Sequence, residues 1–224
     1  MAHPARPVAR RAVTIRRMIP AQILDEVLST VTARLTGSGY RKAARNFVAL
    51  GDGVARVIQF QTSQLKKPEE ASFTLGLVVT STAFHEAYTG KAFPKNAGTA
   101  EPVMQAEIGR LLPDGEPVRW SLKPGVSSGL IAKEVEALLR DTALPFLSRF
   151  LTEKALLDEL ERGAALPGFA AMRERCRAVL LAKAGRKGEA GKVLAALLEA
   201  NSAEGLERFR DSVHELAKRI GVKI

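Results

Sequence analysis

The sequence predicts an α+β fold: a small, mostly antiparallel sheet of about five strands packed against helices, followed by an all-helical C-terminal segment. Three observations predict it. Apolar residues recur at three- and four-residue steps through residues 20–36. The apolar period changes to two between residues 46 and 122, and helical spacing returns from Ser127 to the end of the chain.

The first helix carries Ile23, Leu24, Val27, Leu28, Val31 and Leu35 on one stripe. Pro20 suits its first position, and Gly37 and Gly39 stop it. Residues 46–50 and 54–62 are two short runs rich in Val, Phe and Ile. Gly51-Asp52-Gly53 between them reads as a tight hairpin turn. Residues 65–70 form a polar loop. The next strand, residues 71–80, alternates most clearly: Phe73, Leu75, Leu77 and Val79 against Ser72, Thr74, Gly76, Val78 and Thr80. That pattern predicts a sheet covered on one face. Residues 82–89 read as a short helix and 90–102 as a loop with two prolines and two glycines. Residues 103–112 fit either a strand or a helix, with strand favoured, and Val118, Trp120 and Leu122 alternate as the last strand.

Beyond Ser127 the stripe Leu130, Ile131, Val135, Leu138 and Leu139 is helical, and Pro145 kinks or restarts the helix. Thr152 caps the next helix, and a further one over residues 169–184 buries Met172, Cys176, Val179 and Leu180. Gly185-Arg186-Lys187-Gly188 turns the chain into the stripe Val193, Leu194, Leu197 and Leu198. Asn201-Ser202 is expected to cap the last helix. Residues 180–198 have the look of one tetratricopeptide-type hairpin, and one unit does not make an array.

The chain of 224 residues carries a net charge of +10, unevenly placed. Residues 1–20 contribute +5, residues 21–161 contribute −1 and residues 162–224 contribute +6. The expected organisation is therefore a basic arm over residues 1–19, an α+β domain over 20–163 and a helical segment over 164–224. Met18 is an alternative start, which would remove the arginines of the arm. The single cysteine forbids an intrachain disulfide and points to a reducing, cytoplasmic setting. No CxxC, HxxxH or HExxH pair is present, so structural zinc is not expected; no metal ligand or cofactor is assigned, and a carboxylate-only site for a hard cation stays open. No apolar stretch is long enough to span a bilayer, and no membrane partner is expected.

Several segments, taken in order, carry a resemblance. They are Gly39-Tyr40-Arg41-Lys42, Arg45-Asn46-Phe47, Val57-Ile58-Gln59-Phe60-Gln61-Thr62-Ser63, Phe73-Thr74-Leu75-Gly76-Leu77, Glu107-Ile108-Gly109-Arg110-Leu111 and Arg119-Trp120. Over residues 21–163 the chain resembles the bacterial family known as domain of unknown function 4304. That family's pattern often has two tryptophans where this chain has Trp120-Ser121, and Arg-Thr-Phe where it has Arg45-Asn46-Phe47. The resemblance implies an α+β body. It implies no activity, cofactor or site residue.

Two groups of residues are candidates for binding. Gln59 and Gln61 lie on one side of a strand and either line a ligand groove or bond a neighbouring strand. Arg41, Lys42 and Arg45, with Asn46, either form an anion site or are an ordinary charged approach to the first strand. Trp120 would supply an aromatic wall if it shared their face. No catalytic residue is assigned. His85 and His214 stand in no recognisable motif, and Cys176 falls on an apolar stripe. There is no GxxxxGK[ST] loop, and the strands lack the interleaved aromatics of an RNA-stacking platform. The expected function is non-catalytic binding or protein interaction. Nucleic-acid association through the arginine arm and basic C-terminal helices comes second, and an enzyme whose residues converge only in space comes third.

Overall fold

The computed structural model describes residues 18–63, 67, 71–163, 165–203 and 205–224. The basic arm expected at residues 1–19 therefore lies almost wholly outside the described residues, as does most of the loop at 65–70.

Helix α1 (Pro20–Gly37) begins where the sequence says it should. Pro20 has no N–H of its own to leave unsatisfied in the first turn, and the Ile19 N–H donates to the Gln22 side chain at 3.1 Å. Its apolar stripe lies against a six-stranded, wholly antiparallel sheet. The strands are β1 (Arg41–Ala43), β2 (Asn46–Leu50), β3 (Val54–Ser63), β4 (Ser72–Ser81), β5 (Met104–Glu107) and β6 (Trp120–Ser121). The order is β1-β2-β3-β4-β5, and β6 shares the outer edge of β4 with β5, pairing Trp120 with Phe73.

Three details of the sheet differ from the sequence reading. Arg41–Ala43 is itself a strand, joined to β2 by Ala44 and Arg45, and Ala44 takes a left-handed φ of 55°. The strand expected over residues 103–112 ends at Glu107, and Ile108–Leu111 turns into a 3-10 helix. There Gly109 backs onto the Glu116 carbonyl so closely that a Cβ would lie 1.9 Å from it, and the chain must leave the sheet to make that approach. The second face of the sheet is also less open than alternation suggests. Every residue of β4 from Phe73 to Ser81 is buried, because the segment containing Phe93 and Ala97 packs across Ala55, Val57 and Val78.

Helix α2 (Thr82–Thr89) follows β4 directly, capped by Ser81. Helix α3 (Ser128–Leu138) packs beside α1 on the core face. Pro145 neither breaks nor sharply restarts the helical path. Lacking an N–H, it cannot pair with the carbonyl four residues back, and a π-turn at Leu139–Ala143 absorbs the defect before α4 (Leu144–Leu147). Helices α5 (Glu153–Glu161), α6 (Ala170–Lys183), α7 (Lys187–Glu199) and α8 (Glu207–Arg219) complete the chain. The last starts later than the Asn201-Ser202 signal. Gly205 takes φ 84° and donates to the Glu207 carboxylate at 3.2 Å, so the turn closes there.

One apolar cluster runs without interruption from α1 through the sheet to α8. Glu153 ties the two halves together. Its carboxylate accepts from the Ser81 hydroxyl at 2.9 Å and the Ala83 N–H at 3.1 Å, and pairs with Lys183. The β2–β3 hairpin tip tucks under it, since a Cβ on Gly53 would sit 2.5 Å from its side chain. No helix among the described residues is long and apolar enough to cross a membrane.

Candidate ligand cavity on the open sheet face

Register places the candidate residues. Asn46 stands opposite Gln59, and Gln59 opposite Gly76, on the face turned away from α1 and α3. The Gln61 amide donates to Gln59 Oε1 at 2.9 Å, and the pair lies across Gly76, where a Cβ would be 2.4 Å from Gln61 Nε2. The two glutamines thus satisfy each other above a glycine that makes room for them.

Trp120 is on the opposite face. It stacks on Phe73 at 4.9 Å, Phe73 on Phe60 at 5.7 Å, and Phe60 meets Phe47 at 5.9 Å. Its indole N–H donates to Glu134 on α3 at 2.9 Å. It is 6% exposed and forms part of the core. The basic cluster is also divided. Arg41 pairs with Val48 and so shares the open face with Asn46. Lys42 pairs with Phe47 and projects on the core-helix side, and Arg45 donates to Thr62 there at 3.3 Å. The six candidate residues therefore do not form one site. Arg41 and the glutamine pair share a face, while Lys42, Arg45 and Trp120 lie on the other.

Arg41 leads to the feature that the sequence does not announce. A cavity of about 640 Å³ opens on that face at the β1–β2 margin. Val48 and Leu50 of β2 and Ala43 of β1 make one wall; Phe93, Pro94 and Ala97 make the other. Arg41 and Lys95, both exposed, stand on opposite walls. Among the described residues, those lining the cavity include no carboxylate, imidazole, thiol or hydroxyl side chain.

The loop wall is held firmly. The His85 ring meets Phe93 edge-on at 5.6 Å, and His85 Nδ1 accepts from the Glu101 N–H at 3.0 Å. The Thr80 hydroxyl donates to the Glu101 carbonyl at 2.6 Å, and Asn96 Oδ1 accepts from the Gly98 N–H at 3.1 Å. His85 therefore has a structural duty, and its Nδ1 lone pair is occupied. Sequence reasoning missed Phe93, Pro94 and Lys95. The available signal was a long loop holding a phenylalanine, since long loops in compact domains carry function more often than chance.

The other candidates of the sequence are accounted for by packing. Cys176 is fully buried, and burial pushes its thiol well above the usual range. Among the described residues no group of three or more His, Cys, Asp or Glu could hold a metal ion. In the basic C-terminal helices, Arg177 pairs with Glu174, Arg186 with Glu161 and Glu189, Arg210 with Glu207, and Arg219 with Glu215. Arg175 is buried between the Tyr88 and Phe209 rings and donates to Ser212 at 2.7 Å. Much of the local positive charge is thus already engaged.

The family described as Domain of unknown function (DUF4304) matches residues 31–149. The chain belongs to the DUF4304 family. The match begins within α1 and ends just after α4, so it includes all six strands and both walls of the cavity. Helices α5 to α8 of this DUF4304 protein lie beyond it. No curated protein and no solved structure matches the chain.

Proposed function

We propose that this DUF4304 protein is a non-catalytic binding protein whose ligand occupies the cavity between β2 and the Phe93–Ala97 segment. The observation that carries this reading is the composition of a well-supported cavity. Its volume, about 640 Å³, falls in the range of small-molecule sites. Its walls are apolar and one of them is a pinned loop on a rigid sheet. Among the described lining residues Lys95 is the one side chain of a type used for nucleophilic or general-base chemistry, and it is exposed, with no second titratable side chain beside it other than the Arg41 guanidinium.

A fluorescence titration with Nile red, a neutral apolar probe, tests this. Saturable binding by the full chain is expected, with loss in Val48→Phe, which fills the space above β2. Absence of binding, or binding equal in the variant, overturns the reading.

A second reading, docking of a protein on the C-terminal helices, is favoured by Phe169. It is 81% exposed just before α6, next in the chain to Ala170, which lines a shallow groove between α6 and α7 together with Glu174, Val193 and Leu197. Phe169→Asp should then abolish a partner's co-purification without changing Nile red binding.

A further inference from the structure

We infer that the ligand of this cavity is an amphipathic organic anion, with an apolar body against Val48, Phe93 and Pro94 and an anionic head held at the mouth by Arg41 and Lys95. The inference rests on the binding reading above and names the chemical class it leaves open.

The charge distribution is the first support. Some cations elsewhere on the body have carboxylate partners, as Arg119 has Glu107, Arg140 has Asp141, Arg149 and Arg162 have Glu159, and Lys154 has Asp158, while others such as Lys91 and Lys123 have none; what sets Arg41 and Lys95 apart is the concave apolar surface they flank. The side chains of Arg41 and Lys95 have no ion pair and no hydrogen bond to any described residue. Both stand on walls whose described residues include no acid. Two uncompensated positive charges flanking one concave apolar surface raise the local concentration of anions there.

The depth profile is the second support. Ala97 is buried and Val48, Phe93 and Pro94 are half-buried, while Arg41 and Lys95 are exposed. The floor at Ala97, Val48, Phe93 and Pro94 is therefore apolar, and the rim combines the two charges with the exposed Ala43 and Leu50 (69% exposed). A ligand matching that gradient has an apolar end inside and a charged end at the solvent boundary. A polyanion such as a nucleic acid has its phosphates outermost on a hydrophilic strand and offers nothing to the apolar depth. A neutral apolar molecule would fill the depth and leave the cations unused.

Arg41 presents a planar fork suited to a carboxylate, sulfonate or phosphate, and Lys95 a point charge. An ion pair at such an exposed rim is worth up to roughly five-fold in affinity, and two together roughly ten-fold or somewhat more. The test is calorimetric titration of the full chain with decanoate and with decanol, which share an apolar chain and differ in head charge. Decanoate is expected to bind about ten-fold or more tighter than decanol. In the double variant Arg41→Gln, Lys95→Gln the two ligands should bind with equal affinity, the advantage of decanoate being erased. Both positions are exposed, so the fold is not at stake, and an unchanged circular dichroism melt confirms it. Equal affinity of the unsubstituted chain for the two ligands, or a decanoate advantage that survives in the double variant, overturns the anion inference while leaving the cavity reading standing. Binding of neither ligand overturns both.

Discussion

The two faces of the sheet are made from the same strands and differ in what they bury. The core face is dry and aromatic: Phe47, Phe60, Phe73 and Trp120 form a continuous ladder across four strands, roofed by α1 and α3. The other face has a small apolar cluster at one end, a polar row of Asn46, Gln59 and Gln61, and a cavity at its margin. Alternation along each strand sends one residue in two to stability and leaves the next free for another purpose. The lesson is a division of labour. Substitutions on the core face should cost stability, and substitutions near the cavity should cost binding or local order.

Phe73→Ala should show the largest effect. Phe73 is fully buried between Phe60 and Trp120, and losing a core phenylalanine costs about 3–5 kcal/mol. Urea unfolding followed by the fluorescence of the single tryptophan measures it directly, because Trp120 stacks on the deleted ring. A loss below about 1 kcal/mol would break the claim that the ladder is the core of the fold.

Tyr40 gives the same face a pH signature. Burial raises its hydroxyl from 10 to about 12, partly opposed by the Arg56 guanidinium, which lies over the ring at 5.8 Å. The folded state holds this proton more tightly than the unfolded chain. Its contribution, about 2–3 kcal/mol at most, is therefore complete below pH 10 and lost as pH rises from 10 toward 12. The tyrosinate absorbance that is lost in Tyr40→Phe should rise together with loss of native structure.

On the cavity side the expected effects are smaller and local. His85→Ala removes the acceptor for the Glu101 N–H and should cost about 1–3 kcal/mol. Amide hydrogen exchange should rise across residues 93–101, and Nile red binding should weaken, while the strands of the ladder keep their protection. Exchange rising equally in β3 and β4 would show that the two faces are not separable.

The smallest effect is expected at the β1–β2 turn. Ala44 holds a left-handed φ of 55°, which costs an alanine about 1 kcal/mol and a glycine nothing. Ala44→Gly should raise stability by up to about 1 kcal/mol, offset in part by the freer unfolded chain. An upward shift of the melting temperature with unchanged ligand affinity would confirm that the turn positions β1 without strain serving the site.

Residue by residue, legibility follows the range of the interaction. The helix at Pro20, the turn at Gly51-Asp52-Gly53 and the alternation of Phe73, Leu75, Leu77 and Val79 are local signals, and the structure has each of them where the sequence places it. The end of β5 at Glu107 was not legible, because the close approach of Gly109 to Glu116 that ends it is a contact between loops. Trp120 shows the same limit. Its alternation with Val118 and Leu122 identifies a strand but not which way the strand faces, and its pairing with Phe73 puts it in the core.

The sequence by itself determined the α+β class, the antiparallel strands, the C-terminal helices and the burial of Cys176, because periodicity and turn chemistry act over a few residues. Tertiary structure alone decided the register, and with it the separation of Arg41 from Lys42, Arg45 and Trp120. It also decided where the 90–102 loop lies. Contacts from His85 and Thr80 hold that loop over β2 and β3, and only then do Lys95 and Arg41, 54 positions apart in the chain, stand across one cavity. A one-residue slip between neighbouring strands would exchange the faces and abolish the cavity. Local sequence specifies strands, and the packing of distant segments specifies which of their sides face each other.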